Sequence, residues 1–352
     1  MNDGLTAGER GERVQALALE HGFPLHGIAL VPDGGGAPRE AHLGEWIARG
    51  LHGPLQYMPA TQERRRNLHI RFPWAKSVLC LGVFYEGFAR GKKGRDLEAH
   101  VARYARGRDY HRVFEKRLKR LSAALRHAGL CDRAHYYTDT GPVLERAWAE
   151  RAGLGWIGKN TCLINSKRGS FFLLAEIILD CAAAPDQAAT PHCGSCRRCI
   201  DACPTQALSP EGELNAQACL VTWNIELNGR TPRELWERQG EWAAGCDICQ
   251  QVCPYNSERR VAPADPELSA PLAWQSMSLA QCIAMDRAEF DHRFTASTLR
   301  RTGLKGLRLG AITAAGNCAS EDCRAALTAC LNETDDEINA RARWALAALE
   351  KN

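Results

Sequence analysis

The feature that most constrains this chain is a run of cysteines. Cys193, Cys196, Cys199 and Cys203, the last followed by Pro204, spell C-x2-C-x2-C-x3-C-P. Three thiolates this close on one loop reach three corners of one iron–sulfur cubane. The fourth, after a longer step, points to a neighbouring cubane. A second run, Cys246, Cys249 and Cys253 before Pro254, repeats the pattern one ligand short. On the same template its first cysteine belongs three residues before Cys246, where Ala243 stands. Cys219 is the only cysteine between the runs and completes a set of eight. Exchange of the fourth ligands then predicts one 4Fe–4S cluster on Cys193, Cys196, Cys199 and Cys253, and another on Cys203, Cys219, Cys246 and Cys249. C-x2-C is also a zinc spacing, but two C-x3-C-P endings fit paired cubanes better. Such a module relays single electrons, so the chemistry belongs elsewhere in the chain.

The remaining cysteines of the sixteen, Cys80, Cys131, Cys162, Cys181, Cys282, Cys318, Cys323 and Cys330, are scattered and read as small buried hydrophobes. Clustered thiols without a secretory context point to metal rather than disulfides. Met1 to Gln15 carries no apolar signal core. The longest apolar stretch, Phe171–Leu179, is broken by Glu176 and too short to cross a bilayer. A cytoplasmic protein without membrane contact is expected. The net charge of +4 and pI of about 8.3 argue only weakly for a nucleic-acid partner. Basic runs at Arg64–Arg66, Arg90–Arg95, Lys116–Arg120 and Arg300–Arg308 read, taken singly, as solvated helix faces and loops.

The expected class is α+β in three parts. Residues 1–184 read as an α/β domain. Phe114, Leu118, Leu121 and Leu125 keep helical spacing between Asp109 and Gly129. Val78–Phe84, His135–Thr138 and Phe171–Leu179 read as strands. Pro142 suits the first turn of a helix running to about Arg151. The glycine-rich turn Gly153, Gly155 and Gly158 lacks dinucleotide-loop spacing. An Ala/Pro linker, Ala182–Pro191, leads into a bacterial ferredoxin-like two-cluster module at 185–262. A second boundary falls at Pro263–Pro271. Residues 263–352 read as short helices, Leu304–Ala315, Glu321–Leu331 and Asp335–Leu349, in a HEAT-like segment.

Several short motifs together resemble the epoxyqueuosine reductases over nearly the whole chain. They are Ala102-Arg103-Tyr104 with Gly107-Arg108-Asp109-Tyr110-His111, Thr138-Asp139-Thr140-Gly141-Pro142, Glu150-Arg151-Ala152-Gly153 with Gly158-Lys159-Asn160, and Leu214-Asn215-Ala216-Gln217 before Cys219. The resemblance implies cobalamin in the N-terminal domain and reduction of epoxyqueuosine to queuosine at the tRNA wobble position. It implies that Asp139 is the proton donor and that Arg65, Ala102, Asp139, Leu163 and Leu174 are corrin-pocket positions. Arg103 is left between a corrin amide, a tRNA phosphate and a surface ion pair. The corrinoid signature D-x-H-x-x-G begins at Asp109-Tyr110-His111 but meets Phe114 at the glycine, so base-off binding without a histidine ligand is implied. An acid at Asp139 calls for a raised pKa, supplied by burial. Many relatives carry a longer C-terminal helical region, and here Arg300, Arg301, Lys305 and Arg308 are candidates for tRNA docking. The partners expected are the tRNA anticodon stem-loop and an external low-potential electron donor, with the protein acting as a monomer. The rivals are a reductive dehalogenase-like reductase of a small molecule and a non-enzymatic electron carrier.

Overall fold

The computed structural model describes residues 4–85, 101–257, 264–268 and 277–351. The basic run Arg90–Arg95 and, of the boundary Pro263–Pro271, Pro263, Ser269, Ala270 and Pro271 lie outside them.

Six strands are present among the described residues: β1 (Leu25–Leu30), β2 (Ser77–Phe84), β3 (Ala134–Tyr137), β4 (Trp156–Ile157), β5 (Leu163–Ile164) and β6 (Phe172–Leu179). Four of them form one sheet in the order β1-β2-β6-β3. Every ladder in it is antiparallel, which suits an α+β fold rather than a parallel crossover sheet. The central strands β2 and β6 are apolar except for Ser77 and Glu176, because both of their faces are covered. Leu79, Leu81 and Val83 of β2 face the helices Ala7–Glu20 and Tyr110–His127. Val78, Cys80 and Phe84 face the helix Glu145–Arg151, with Trp148 at its centre. The two-residue period of a strand makes this division.

Tyr110–His127 follows the expected periodicity, with Phe114, Leu118, Leu121 and Leu125 fully buried. Asp109 caps it by accepting from the His111 amide, and Gly129 leaves it at φ 67°. Pro142 does not open a helix. The helix starts three residues later, at Glu145, with no side-chain cap. Residues 138–144, between β3 and this helix, form the turn that carries Asp139.

The C-terminal helices Leu279–Ala284, Gly303–Asn317, Arg324–Cys330 and Asp336–Leu349 pack into a core of their own. Ala243 and Ala244 of the cysteine-bearing region belong to that core. A side chain at Gly310 would stand 1.8 Å from the Ala243 carbonyl oxygen, so Gly303–Asn317 lies directly on this backbone. Ala243, at the template position of the missing ligand, is thereby buried in the helical core. None of the described helices is long and apolar enough to cross a membrane.

Candidate active site and cluster module

The cysteines fall into two neighbourhoods. Cys193, Cys196, Cys199 and Cys253 line one cavity of about 290 Å³, together with His192, Asn160 and Tyr255. Cys246 has Cys219 and Cys203 as electrostatic neighbours, and Cys249 has Cys246 and Cys219. These are the two groupings the exchange of ligands requires. Among the described residues no three Cys, His, Asp or Glu side chains close on a single ion position. Cys193, Cys196, Cys199 and Cys253 surround a space, as a cubane needs. Trp156 donates from Nε1 to Cys193 Sγ at 3.4 Å, and the Ala207 amide donates to Cys203 Sγ at 3.3 Å. Both suit a sulfur that carries charge.

The glycine-rich turn is a clamp on these loops. It opens into the β4–β5 hairpin. Lys159 Nζ donates to the carbonyls of Gly194 and Cys196 at 2.8 and 3.2 Å, and Asn160 Nδ2 to that of Cys249 at 3.3 Å. Cys162, expected as a scattered core thiol, is hydrogen-bonded to Cys249 instead.

A second cavity, of about 520 Å³, opens beside the cluster module. Leu43, Leu55, Met58, Val143, Ile157 and Val221 give it apolar walls, while Tyr57, Arg65, Asp139, Thr161 and Glu226 give polar points. Cys219 lies in the same wall. The reason is local. Trp46 Nε1 donates to the Leu214 carbonyl at 2.6 Å, and the Ala216 amide donates to the Leu51 carbonyl at 2.8 Å. The stretch before Cys219 is thus fixed against the N-terminal helices. An apolar macrocycle rimmed with amides fits such a lining in kind: flat apolar walls with a few convergent polar groups.

Of the corrin-pocket positions expected from the sequence, Arg65 and Asp139 line this cavity. Arg65 is held by Thr61 Oγ1 at 2.8 Å and the Val143 carbonyl at 3.1 Å. Ala102, Leu163 and Leu174 are not in that lining. Ala102 packs on Gly245, where φ is 72° and an added Cβ would lie 2.4 Å from the Ala102 Cβ. Leu163 pairs with Ile157 in the hairpin. The Leu174 carbonyl accepts from Thr138 Oγ1 at 3.0 Å, next to the Asp139 turn. Arg103 is not a surface residue. It is 9% exposed, stacks over Phe171, and lies with its Nε 4.0 Å from buried Asp247.

Asp139 does not cap a helix. Its Oδ2 accepts from His111 Nε2 at 3.0 Å, and His111 Nδ1 lies 2.7 Å from Asp109 Oδ1. Arg301 of the C-terminal segment comes within 4.0 Å of the same Oδ2. The expected rise of the Asp139 pKa is not found. Burial pushes it up, but the hydrogen bonds from His111 and Tyr110 and the charges of His111 and Arg301 outweigh burial and hold it below the usual carboxylate range. His111 is shifted the other way. Burial pushes it down, yet its bonds to Asp109 and Asp139 raise it above the usual imidazole value. The proton of this pair therefore rests mainly on His111. His111 stands in a quoted motif, but the sequence carries no sign that it faces Asp139 from 28 residues away.

Residues 192–256 match the family described as "4Fe-4S double cluster binding domain". Residues 65–140 match the one described as "Epoxyqueuosine reductase QueG, DUF1730". An epoxyqueuosine reductase from Xanthomonas campestris is 38% identical, covering 95% of this chain and 95% of its own length. The chain belongs to the epoxyqueuosine reductase family. It is accordingly an oxidoreductase with a two-cluster 4Fe–4S domain. A solved epoxyqueuosine reductase with a tRNA-Tyr epoxyqueuosine-modified stem loop superposes with a TM-score of 0.81 at 25% identity, covering 96% of this chain and 98% of that one. A Bacillus subtilis epoxyqueuosine reductase superposes with a TM-score of 0.80 at 26% identity, covering 96% and 90%. In that structure the catalytic aspartate loop is swung out of the active site.

Proposed function

We propose that this chain reduces epoxyqueuosine in the anticodon stem-loop of a tRNA to queuosine, with cobalamin in the 520 Å³ cavity and electrons arriving through the Cys219 cluster. One observation carries the reading: Asp139 and Cys219 line the same cavity, so a proton donor and an electron donor meet there. The tRNA complex of a relative supports the choice of substrate. A bare electron carrier has no use for such a cavity.

Turning an epoxide into an alkene and water takes two electrons and two protons. When bound, the corrin supplies the two-electron reduction. The protein supplies binding and protons. Leu43, Met58, Val143 and Ile157 would exclude water from the macrocycle, while Arg65 and Tyr57 would offer donors to its amides. The Asp139 carboxylate lines the cavity and relays the proton held by His111 to the departing oxygen, which leaves badly as an alkoxide, and solvent supplies the second proton. Asp109 accepts the other ring N–H and orients the imidazole. An external low-potential donor recharges the first cluster, whose loop residues Gly194, Ser195, Arg197 and Arg198 are exposed.

The test is binding of cob(II)alamin to anaerobically reconstituted protein, followed by paramagnetic resonance. His42 lines the cavity but no metal-binding motif accompanies it. The expected spectrum is base-off and lacks axial nitrogen splitting, and Met58→Trp abolishes binding while leaving iron content unchanged. Nitrogen splitting, or normal binding in the filled cavity, contradicts the placement.

A further inference from the structure

The turn that carries Asp139 is held from below by two acids that the proposed chemistry does not use. Asp139 has φ 59°, a left-handed conformation that is disfavoured for a residue with a Cβ. Something must hold it there. Its amide donates to Glu145 Oε1 at 2.5 Å. Glu145 opens the helix Glu145–Arg151, and its carboxyl is hydrogen-bonded to that of Glu176. Glu176 sits in the middle of β6, opposite Cys80, and is 1% exposed. Its Oε1 has no hydrogen-bond partner.

Two carboxyls in contact inside a protein cannot both be ionised at modest cost. Burial first, and then the charge of Asp139, raises Glu145. Burial first, and then Glu145, raises Glu176. The charges that face the pair are Arg146 toward Glu145, Arg65 toward Glu176 and Asp139 toward both. Neither arginine makes a direct ion pair with it.

We propose that Glu145 is a positioning residue for Asp139: it clasps the Asp139 amide and holds the turn over the cavity, and its carboxyl is held in turn by that of buried Glu176. The proposal rests on Asp139 being the acid of the reaction above. It makes the clasp the point at which the turn is either held or released. The swung-out aspartate loop of the Bacillus subtilis enzyme shows that a relative's loop adopts a second position.

The experiment combines hydrogen exchange with turnover, on cluster-loaded protein. Exchange of the Asp139 amide and of residues 138–142 is followed in Glu145→Ala, Glu145→Gln and Glu176→Gln. In Glu145→Ala, exchange of this turn rises about tenfold or more, the loss of one hydrogen bond, while β6 and Tyr110–His127 keep their protection. Its kcat falls about a hundredfold through misplacement of the acid, with KM for tRNA unchanged. Glu145→Gln keeps an acceptor oxygen and restores both to within about threefold. Glu176→Gln keeps a hydrogen-bonding partner and behaves like Glu145→Gln. Should Glu145→Ala fail to fold, Glu145→Asp decides, because it keeps the acid but falls short of the amide. Unchanged exchange in the turn, or raised exchange with full turnover, overturns the proposal. Full turnover in Asp139→Asn would instead sink the acid assignment and leave the exchange result standing.

Discussion

His111 Nε2 lies 3.0 Å from Asp139 Oδ2, and Asp109 holds the opposite ring nitrogen. The imidazole is raised above its ordinary 6.5 and the Asp139 carboxyl is held below its ordinary 3.8. Between those limits the pair carries one proton. As pH rises through the raised His111 value the proton leaves and acid catalysis goes with it. Turnover therefore falls on an alkaline limb with a midpoint above 6.5. His111→Gln removes that limb and lowers kcat about a hundred- to ten-thousand-fold. The sign for stability follows the same values. The His111 contribution is complete below 6.5 and lost as pH rises through its raised value. The Asp139 contribution is present above 3.8 and lost as pH falls through its depressed value. A pH–rate profile unaffected by His111→Gln contradicts this account.

The eight cysteines predict about eight iron atoms and eight labile sulfides per chain. Cys219→Ala should lower iron to about four, since Ala243 is buried in the helical core and no thiol replaces the lost ligand. Cys162 touches Cys249 but belongs to neither set of ligands. Cys162→Ala is therefore expected to keep full iron. Iron analysis after anaerobic reconstitution separates the two variants. A Cys162 variant that loses a cluster, or a Cys219 variant that keeps both, reverses the assignment.

Binding of tRNA should weaken steeply as salt rises, because phosphate contacts release counterions. The C-terminal cations are not equally free to take part. Lys305 pairs with Asp335 at 2.8 Å and with Glu337 at 3.1 Å, Arg308 with Glu333, and Arg300 with Asp291 at 3.2 Å. Arg308 also donates to the Ile283 carbonyl at 2.7 Å. Arg308→Ala should then destabilise the helical segment by about 1–3 kcal/mol and leave the salt slope of binding unchanged. Charge reversal at exposed Lys116 and Lys119 should change neither stability nor affinity. Titrations at several salt concentrations, with thermal melts, check these outcomes. A shallower slope for Arg308→Ala would return that residue to the tRNA surface.

The parts legible in the sequence were those written in short-range spacing. The cysteine runs announced the clusters, and the 3.6-residue period announced Tyr110–His127. The apolar runs announced β2 and β6, because burial on both sheet faces leaves little polar alternation, and the short run His135–Thr138 announced the edge strand β3. What stayed hidden depends on contacts between distant segments. The His111–Asp139 bond reversed the expected shift of the acid. Glu176 looked like an interruption of a strand, and is the buried partner of the Glu145 carboxyl. Arg117, within a basic run read as solvated, is pinned between Asp265 and Glu267 at 2.7 and 2.6 Å. Pro142 suggested a helix start, yet the turn it belongs to delays the helix to Glu145. Ala243 marked a missing ligand, but only the docking of Gly310 on its carbonyl shows it buried in the helical core.

The most direct measurement is conversion of epoxyqueuosine to queuosine in tRNA by anaerobically reconstituted protein, with and without cobalamin, in the wild type and Asp139→Asn. Product is read by mass spectrometry of the tRNA nucleosides. The account predicts conversion that requires cobalamin. It predicts that Asp139→Asn keeps its iron and bound corrin while kcat falls about a hundred- to ten-thousand-fold. Conversion without cobalamin, or near-normal turnover in Asp139→Asn, would contradict it.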